Sequence, residues 1–182
     1  QVKERLGINL RLKKNKIGIL GGSFDPAHKG HLAISREAAK RFKLKQIIWA
    51  ITKKNHFKSK INKNLQKRIE ICKKIIGRSK YIKVKFYENI IKSNKTINLI
   101  NFLNKNKKNE IYFLMGADNL INFHRWYKWK TISQKCNIMV FDRHGYKKKS
   151  LNSVTFKRLN KKNLNFIEFN KVNISSSQLR KI

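Results

Sequence analysis

The chain has 182 residues with 40% apolar content, enough for one globular core. It holds no apolar run of the ~18 residues that cross a bilayer, and its basic N-terminus lacks the hydrophobic centre of a secretory signal. Lys and Arg number 45 against 9 Asp and Glu, a formal charge of +36 whose field attracts polyanions.

The positive charge is mostly Lys, spread over the whole length and mixed with Asn, as in "KSKINKNLQK" and "RLNKKNLN". Lys and Asn share AT-rich codons, so a compositional bias accounts for the pattern. A basic nucleic-acid-binding protein is the alternative, but no zinc finger, helix-turn-helix or aromatic-basic module accompanies the charge. Cys72 and Cys136 make neither a disulfide framework nor a metal-ligand spacing, and read as reduced thiols of a cytoplasmic protein. No internal repeat or Pro-rich linker divides the chain. The organisation expected is a basic N-terminal extension over 1–15 and a single domain over 16–182.

In chain order, "KIGIL" (16–20) is a short β-rich run ended by Gly21 and Gly22. "GHLAISREAAKRFK" (30–43) carries apolar residues at helical spacing. "QIIWAI" (46–51) reads as a buried strand. "LQKRIEICKKII" (65–76) puts Leu65, Ile69, Cys72 and Ile76 on one helical face, and Gly77 stops it. "YIKVKFYE" (81–88) alternates as a strand, and "TINLINFLNK" (96–105) suits a helix. "EIYFLMG" (110–116) and "NIMVFD" (137–142) are buried strands with a helical stretch near 128–135 between them. "NLNFIEF" (163–169) is a last strand, and "SSSQLRKI" (175–182) opens like a helix capped by Ser. Strand and helix alternate throughout. The fold class is therefore α/β, a mainly parallel sheet with helices on both faces. Ligands of such sheets bind beyond the carboxyl ends of the strands, at a topological switch point.

"ILGGSFDPAHKGHLAI" (19–34) lies at the carboxyl end of the first strand. Gly21 and Gly22 let the backbone turn sharply and a ligand come close. The following helix aims its N-terminal N–H groups and positive dipole end at the same space, which favours phosphate. His28 and His31 stand three residues apart at the helix start, on one face. Imidazoles placed there donate to phosphate oxygens, and a negative ligand favours their charged form. Metal ligation is the rival role, with Asp25 the one carboxylate close in sequence.

"GGSFDPAHKGHL" resembles the first motif of the nucleotidylyltransferase superfamily, whose core is H-x-G-H. "FLMGADNLINFHRW" (113–126), "KTINLI" (95–100) and "ISSSQLR" (174–180) are similar to motifs of bacterial nicotinate-nucleotide adenylyltransferases, in that family's order and over nearly the whole chain. The resemblance implies a Rossmann-like nucleotidylyltransferase fold. It also implies transfer of the adenylyl group of ATP to nicotinate mononucleotide, giving deamido-NAD and pyrophosphate. Another enzyme of the superfamily, such as a pantetheine-phosphate adenylyltransferase, is the alternative inside the same fold. By the same resemblance, Gly21, Gly22, Ser23, Phe24, His28 and His31 would hold the phosphates and adenosine of ATP. Gly116 and Asp118 would line the nucleotide pocket, Asp118 accepting from ribose hydroxyls. Ser175, Ser176, Ser177 and Arg180 would grip the triphosphate, aided by Lys58, with His28, His31 and Arg180 the catalytic set. Trp126 would stack the pyridine ring of nicotinate mononucleotide, and Thr96 and Asn55 would complete the acceptor pocket. Mg²⁺ is implied as the counter-ion of ATP, held by phosphates and water rather than by a protein cage. Three positions depart from the family pattern: "ITKKNHFKSK" keeps Asn55 and Lys58 without the usual Pro, Lys95 replaces an aromatic residue, and Asp25 replaces Asn.

Overall fold

The computed structural model describes residues 13–54, 63–142 and 145–168. Among them, six strands form one sheet in the order β3-β2-β1-β4-β5-β6, and every neighbouring pair is parallel. The strands are β1 (Asn15–Gly22), β2 (Gln46–Ile51), β3 (Ile82–Lys85), β4 (Asn109–Gly116), β5 (Asn137–Asp142) and β6 (Leu164–Glu168). The order reverses between β1 and β4, which is the switch point that the alternation of elements leads one to expect.

The helices follow from local chemistry. α1 (Lys29–Phe42) starts at His28, whose side chain caps it, and ends at Lys43 in the left-handed region. α2 (Leu65–Ile76) is capped by Asn64, whose side chain accepts the Lys67 N–H at 2.8 Å, and stops at Gly77 with φ +60. α3 (Glu88–Ile91) and α4 (Thr96–Leu103) lie between β3 and β4. α5 (Ala117–Asn122), a 3-10 turn (Phe123–Arg125) and α6 (Trp129–Lys135) connect β4 to β5. α7 (Lys147–Leu151) and α8 (Val154–Arg158) precede β6.

Two apolar cores sandwich the sheet. On one face, Ile34 and Ala38 of α1 and Cys72 and Ile76 of α2 pack with Ile47, Trp49 and Leu114. On the other, Ile97 and Ile100 of α4, Leu120 and Phe123 after β4 and Ile132 of α6 pack with Ile19, Ile48 and Phe113. Each such side chain contributes roughly 1.5–3 kcal/mol on burial.

Several expectations change in detail. β3 covers 82–85 rather than 81–88, because Tyr87 already has helical φ and Glu88 begins α3. α3, α5, α7 and α8 are four to six residues each, too short for their periodicity to stand out. On α2 the buried stripe is Arg68, Cys72 and Ile76, with Leu65 and Ile69 half-buried beside it. β1 begins at Asn15, one residue inside the expected extension. The helix expected over 175–182 and residues 1–12 lie outside the described residues.

Both thiols are buried, Cys72 at 0% exposure and Cys136 at 5%. Burial pushes each up to about 12 from 9.0. The folded state thus holds both protons where the unfolded chain releases them, so this contribution to stability is complete below about pH 9 and is lost as pH rises toward 12. At pH 8 a thiol-specific disulfide reagent should label neither cysteine in the native protein and both after denaturation. Rapid labelling of the native protein would show that these cores are open.

Candidate active site

β1 and β4 pair as far as Leu20 with Leu114. Beyond that, Gly21 and Gly22 pair only with Ala50 and Ile51 of β2, while Met115 and Gly116 pair with Val140 and Phe141 of β5. The two central strands part at their carboxyl ends, which leaves a cleft between β1 and β4. A Cβ on Gly22 would make ordinary contact with the Phe24 ring at 3.8 Å, and one on Gly21 with Phe113 Cζ at 3.7 Å. Gly21 and Gly22 are the last two residues of β1 rather than the turn expected after it, and they lie one toward each face.

The histidines border the first face. His28 is 5% exposed and its Nδ1 accepts the Gly30 N–H at 3.0 Å. His31 Nδ1 in turn accepts the His28 N–H at 3.1 Å. A ring nitrogen that accepts carries no proton, so each neutral imidazole holds its proton on Nε2. The rings lie 3.9 Å apart between centroids. The backbone therefore fixes both tautomers and sets two N–H donors side by side at the start of α1. The helix dipole there favours anions.

Behind the rings stands a packed support. Phe24 sits at φ 48, a costly conformation for an aromatic residue, and burial holds it there. Its ring is 2% exposed, stacks on Trp49 at 5.1 Å and lies 4.7 Å from His31. The ring belongs to the core, so what Phe24 could offer a ligand is its backbone N–H. Trp49 is fully buried and donates Nε1–H to Ser35 Oγ at 2.8 Å, and Ser35 donates to the His31 carbonyl at 2.8 Å. Ser23 is buried at 5% beside this turn.

One contributor escaped the sequence reading. Arg68 of α2 is 1% exposed, and among the described residues its guanidinium donates to four main-chain oxygens. Nη1 reaches Ser23 O at 2.7 Å and Thr52 O at 2.7 Å, Nη2 reaches Lys53 O at 3.0 Å, and Nε reaches Lys63 O at 3.0 Å. Burial lowers its pKa, opposed chiefly by the field of Asp25. Asp25 Oδ1 accepts the Lys63 N–H at 3.2 Å. The available signal was the spacing 68, 72, 76, which puts an arginine on the apolar stripe.

Across the sheet, Gly116 ends β4 and is the N-cap of α5, and Asp118 is exposed on that helix's first turn. Trp126 is half-buried and packs edge-on against Phe113 at 5.8 Å and Phe123 at 5.2 Å. Since Phe113 is also the neighbour of Gly21, Trp126 is joined to the cleft through a single side chain. Thr96 is half-buried as the first residue of α4. His124 anchors the segment: its N–H donates to Thr155 Oγ1 at 3.1 Å, and its Nδ1 lies 3.0 Å from the same oxygen. Asn55, Lys58, Ser175, Ser176, Ser177 and Arg180 lie outside the described residues. Among the described residues no three His, Cys, Asp or Glu side chains gather as a metal site. A groove of about 240 Å³ between α2 and β3, lined by Lys73, Ile76, Ser79 and Val84, is remote from the cleft.

Comparison with known proteins bears on the family and the fold. A model of the cytidylyltransferase-like family matches residues 19–182. A protein of Pelagibacter ubique (strain HTCC1062) named "Probable nicotinate-nucleotide adenylyltransferase" is 68% identical over 174 residues, covering 96% of this chain and 97% of its own. One of the same name from Agrobacterium fabrum is 37% identical over 131 residues, 71% of this chain and 70% of its own. In fold, the chain is similar to Plasmodium falciparum nicotinic acid mononucleotide adenylyltransferase complexed with NaAD. The TM-score is 0.76 at 22% identity, over 92% of this chain and 83% of that one.

The Thr155 hydroxyl is buried and serves both the His124 backbone and ring. Thr155→Val keeps its shape and removes the oxygen. It should lower stability by about 1–3 kcal/mol, read from the urea midpoint; an unchanged midpoint would show that this anchor is idle.

Proposed function

The chain belongs to the cytidylyltransferase-like family and, within it, to the nicotinate-nucleotide adenylyltransferases, and from that premise we propose how its cleft handles two anionic substrates. The enzyme transfers the adenylyl group of ATP to nicotinate mononucleotide, releasing pyrophosphate. A 5′-phosphate oxygen of the mononucleotide attacks the α-phosphorus. The bond to the bridging oxygen breaks, and pyrophosphate leaves with the electron pair. The attacking phosphate is already ionised at neutral pH, so no general base is required. The barrier lies in bringing two anions together and in the charge that spreads over the α-phosphate and leaving group, and positioned donors lower it.

The single observation that carries this reading is the paired imidazoles, each held by a backbone bond to Nδ1 so that Nε2–H is the donor at the helix start. They would grip the triphosphate together with the Phe24 N–H. Gly21 and Gly22 would let the phosphates approach the strand end. Asp118, beside Gly116, would accept from ribose hydroxyls, since a carboxylate next to phosphate would repel it. Trp126 would stack the pyridine ring on the opposite face, worth roughly 1 kcal/mol beyond burial, with Thr96 near the nicotinate carboxylate. Asn55, Lys58, Ser175, Ser176, Ser177 and Arg180 keep the roles that the family resemblance implies. Mg²⁺ would come with ATP: phosphate and water oxygens suffice as ligands, and no step is assigned to a protein-held metal.

The test is pyrophosphate release from ATP, Mg²⁺ and nicotinate mononucleotide. His31→Ala should lower kcat about a hundredfold, the usual effect of removing one transition-state donor. Trp126→Ala should raise KM for the mononucleotide with KM for ATP held. Robust turnover of another phosphate acceptor, such as pantetheine phosphate, with none of nicotinate mononucleotide would overturn the assignment. An unaltered mononucleotide KM in Trp126→Ala would displace the acceptor pocket.

A further inference from the structure

We propose that Arg68 is a positioning residue for the nucleotide's polyphosphate, acting through the Ser23–Phe24 peptide at the parting of the strands. The inference rests on the reading of the cleft as the ATP site. It starts from where the guanidinium spends its hydrogen bonds. An arginine side chain with 1% exposure gives Nε, Nη1 and Nη2 to four main-chain oxygens. Nη1 bridges two of them, Ser23 O in the turn after β1 and Thr52 O just beyond β2. These two segments are neighbours in the sheet, and the Thr52 N–H already donates to Gly22 O at 2.9 Å.

In a planar trans peptide the carbonyl and the following N–H point in opposite directions. Fixing a carbonyl therefore aims the next N–H. The Thr52–Lys53 peptide displays this: its oxygen accepts from Arg68 and its N–H turns the other way, to Glu88 Oε2 at 3.3 Å. The Ser23–Phe24 peptide has the same polarity with respect to Nη1. Its N–H, that of Phe24, is turned away from Arg68, in the turn that carries the paired imidazoles. Phe24 is also the residue in the left-handed region, and its ring is locked on Trp49 and His31. The clamp on the carbonyl and the lock on the ring together leave that N–H one orientation. Arg68 also sets a buried positive charge behind the loop that receives an anion.

The fork is what the arrangement needs. Lysine has one nitrogen and three donors, and it cannot reach four oxygens spread over Ser23, Thr52, Lys53 and Lys63. Arg68→Lys keeps the charge and loses the aim.

The experiment measures kcat and both KM values for Arg68→Lys, per folded molecule, with the folded fraction taken from the thermal transition. Cys72→Ala, one turn further along the same buried stripe, controls for loss of stability alone. Arg68→Lys should raise KM for ATP about tenfold or more, the effect of one misplaced bond to a charged group, with the mononucleotide KM within about twofold. Cys72→Ala should lower the thermal midpoint and leave both constants in place. Unchanged constants in Arg68→Lys, or equal increases in both, would overturn the proposal. His31→Ala run in parallel separates the two claims. If it abolishes turnover while Arg68→Lys is normal, only the positioning role fails. If it keeps wild-type turnover, the ATP site is elsewhere and the positioning role falls with it.

Discussion

β1 and β4 lie side by side as far as Leu20 and Leu114, and then each continues for two residues with its outer neighbour alone. The rest of the site depends on that parting. A paired sheet has no room between adjacent strands, which are ~4.8 Å apart. A parted one has room, and it is lined by main-chain groups from both sides. The reversal of strand order places it between the first and fourth strands of the chain. The chain leaving β1 runs to α1 on one face, and the chain leaving β4 runs to α5 and Trp126, packed with the core on the other. Under the proposed function one opening would serve two substrates, each approached from its own side of the sheet.

The electrostatics of the opening are set by backbone groups more than by side-chain charge. The start of α1, the two Nε2–H donors and the Phe24 N–H are neutral or partial charges in fixed positions. Fixed dipoles need little reorganisation when charge develops, which is the source of their catalytic effect. Behind them, Trp49, Ser35, Phe24 and Arg68 form a layer whose bonds end on main-chain atoms of the loop and of His31. The overall charge of +36 attracts anions from a distance, whereas on the proposed reading the positioning of the nucleotide would come from these few short bonds. With 9 acidic residues in the chain, repulsion of the substrates is slight.

Much of this was legible in the sequence. The alternation of apolar runs gave the parallel sheet, and β2, α2 and β5 fall on the residues expected. The Gly21–His31 stretch stood out because two glycines and two imidazoles at a strand-to-helix junction have few structural uses. The supporting layer was hidden for a physical reason. Trp49 and Ser35 act through contacts between residues fourteen apart, and Arg68 reaches Ser23 across forty-five. Periodicity records which face a residue takes and not which carbonyl it meets. The packing of the Phe24 ring inward against Trp49 was hidden for the same reason, twenty-five residues separating the two. α5 and the 3-10 turn after it escaped because six and three residues carry too little periodicity.

The most direct measurement is ¹⁵N NMR of histidine-labelled enzyme during titration with a non-hydrolysable ATP analogue and Mg²⁺, with His28 and His31 assigned by substitution. If the paired imidazoles hold the polyphosphate, their Nε2 resonances move together and saturate with the analogue, while both Nδ1 nitrogens keep their accepting state. Saturation of the protein with both Nε2 signals unmoved would place the nucleotide elsewhere and contradict the account.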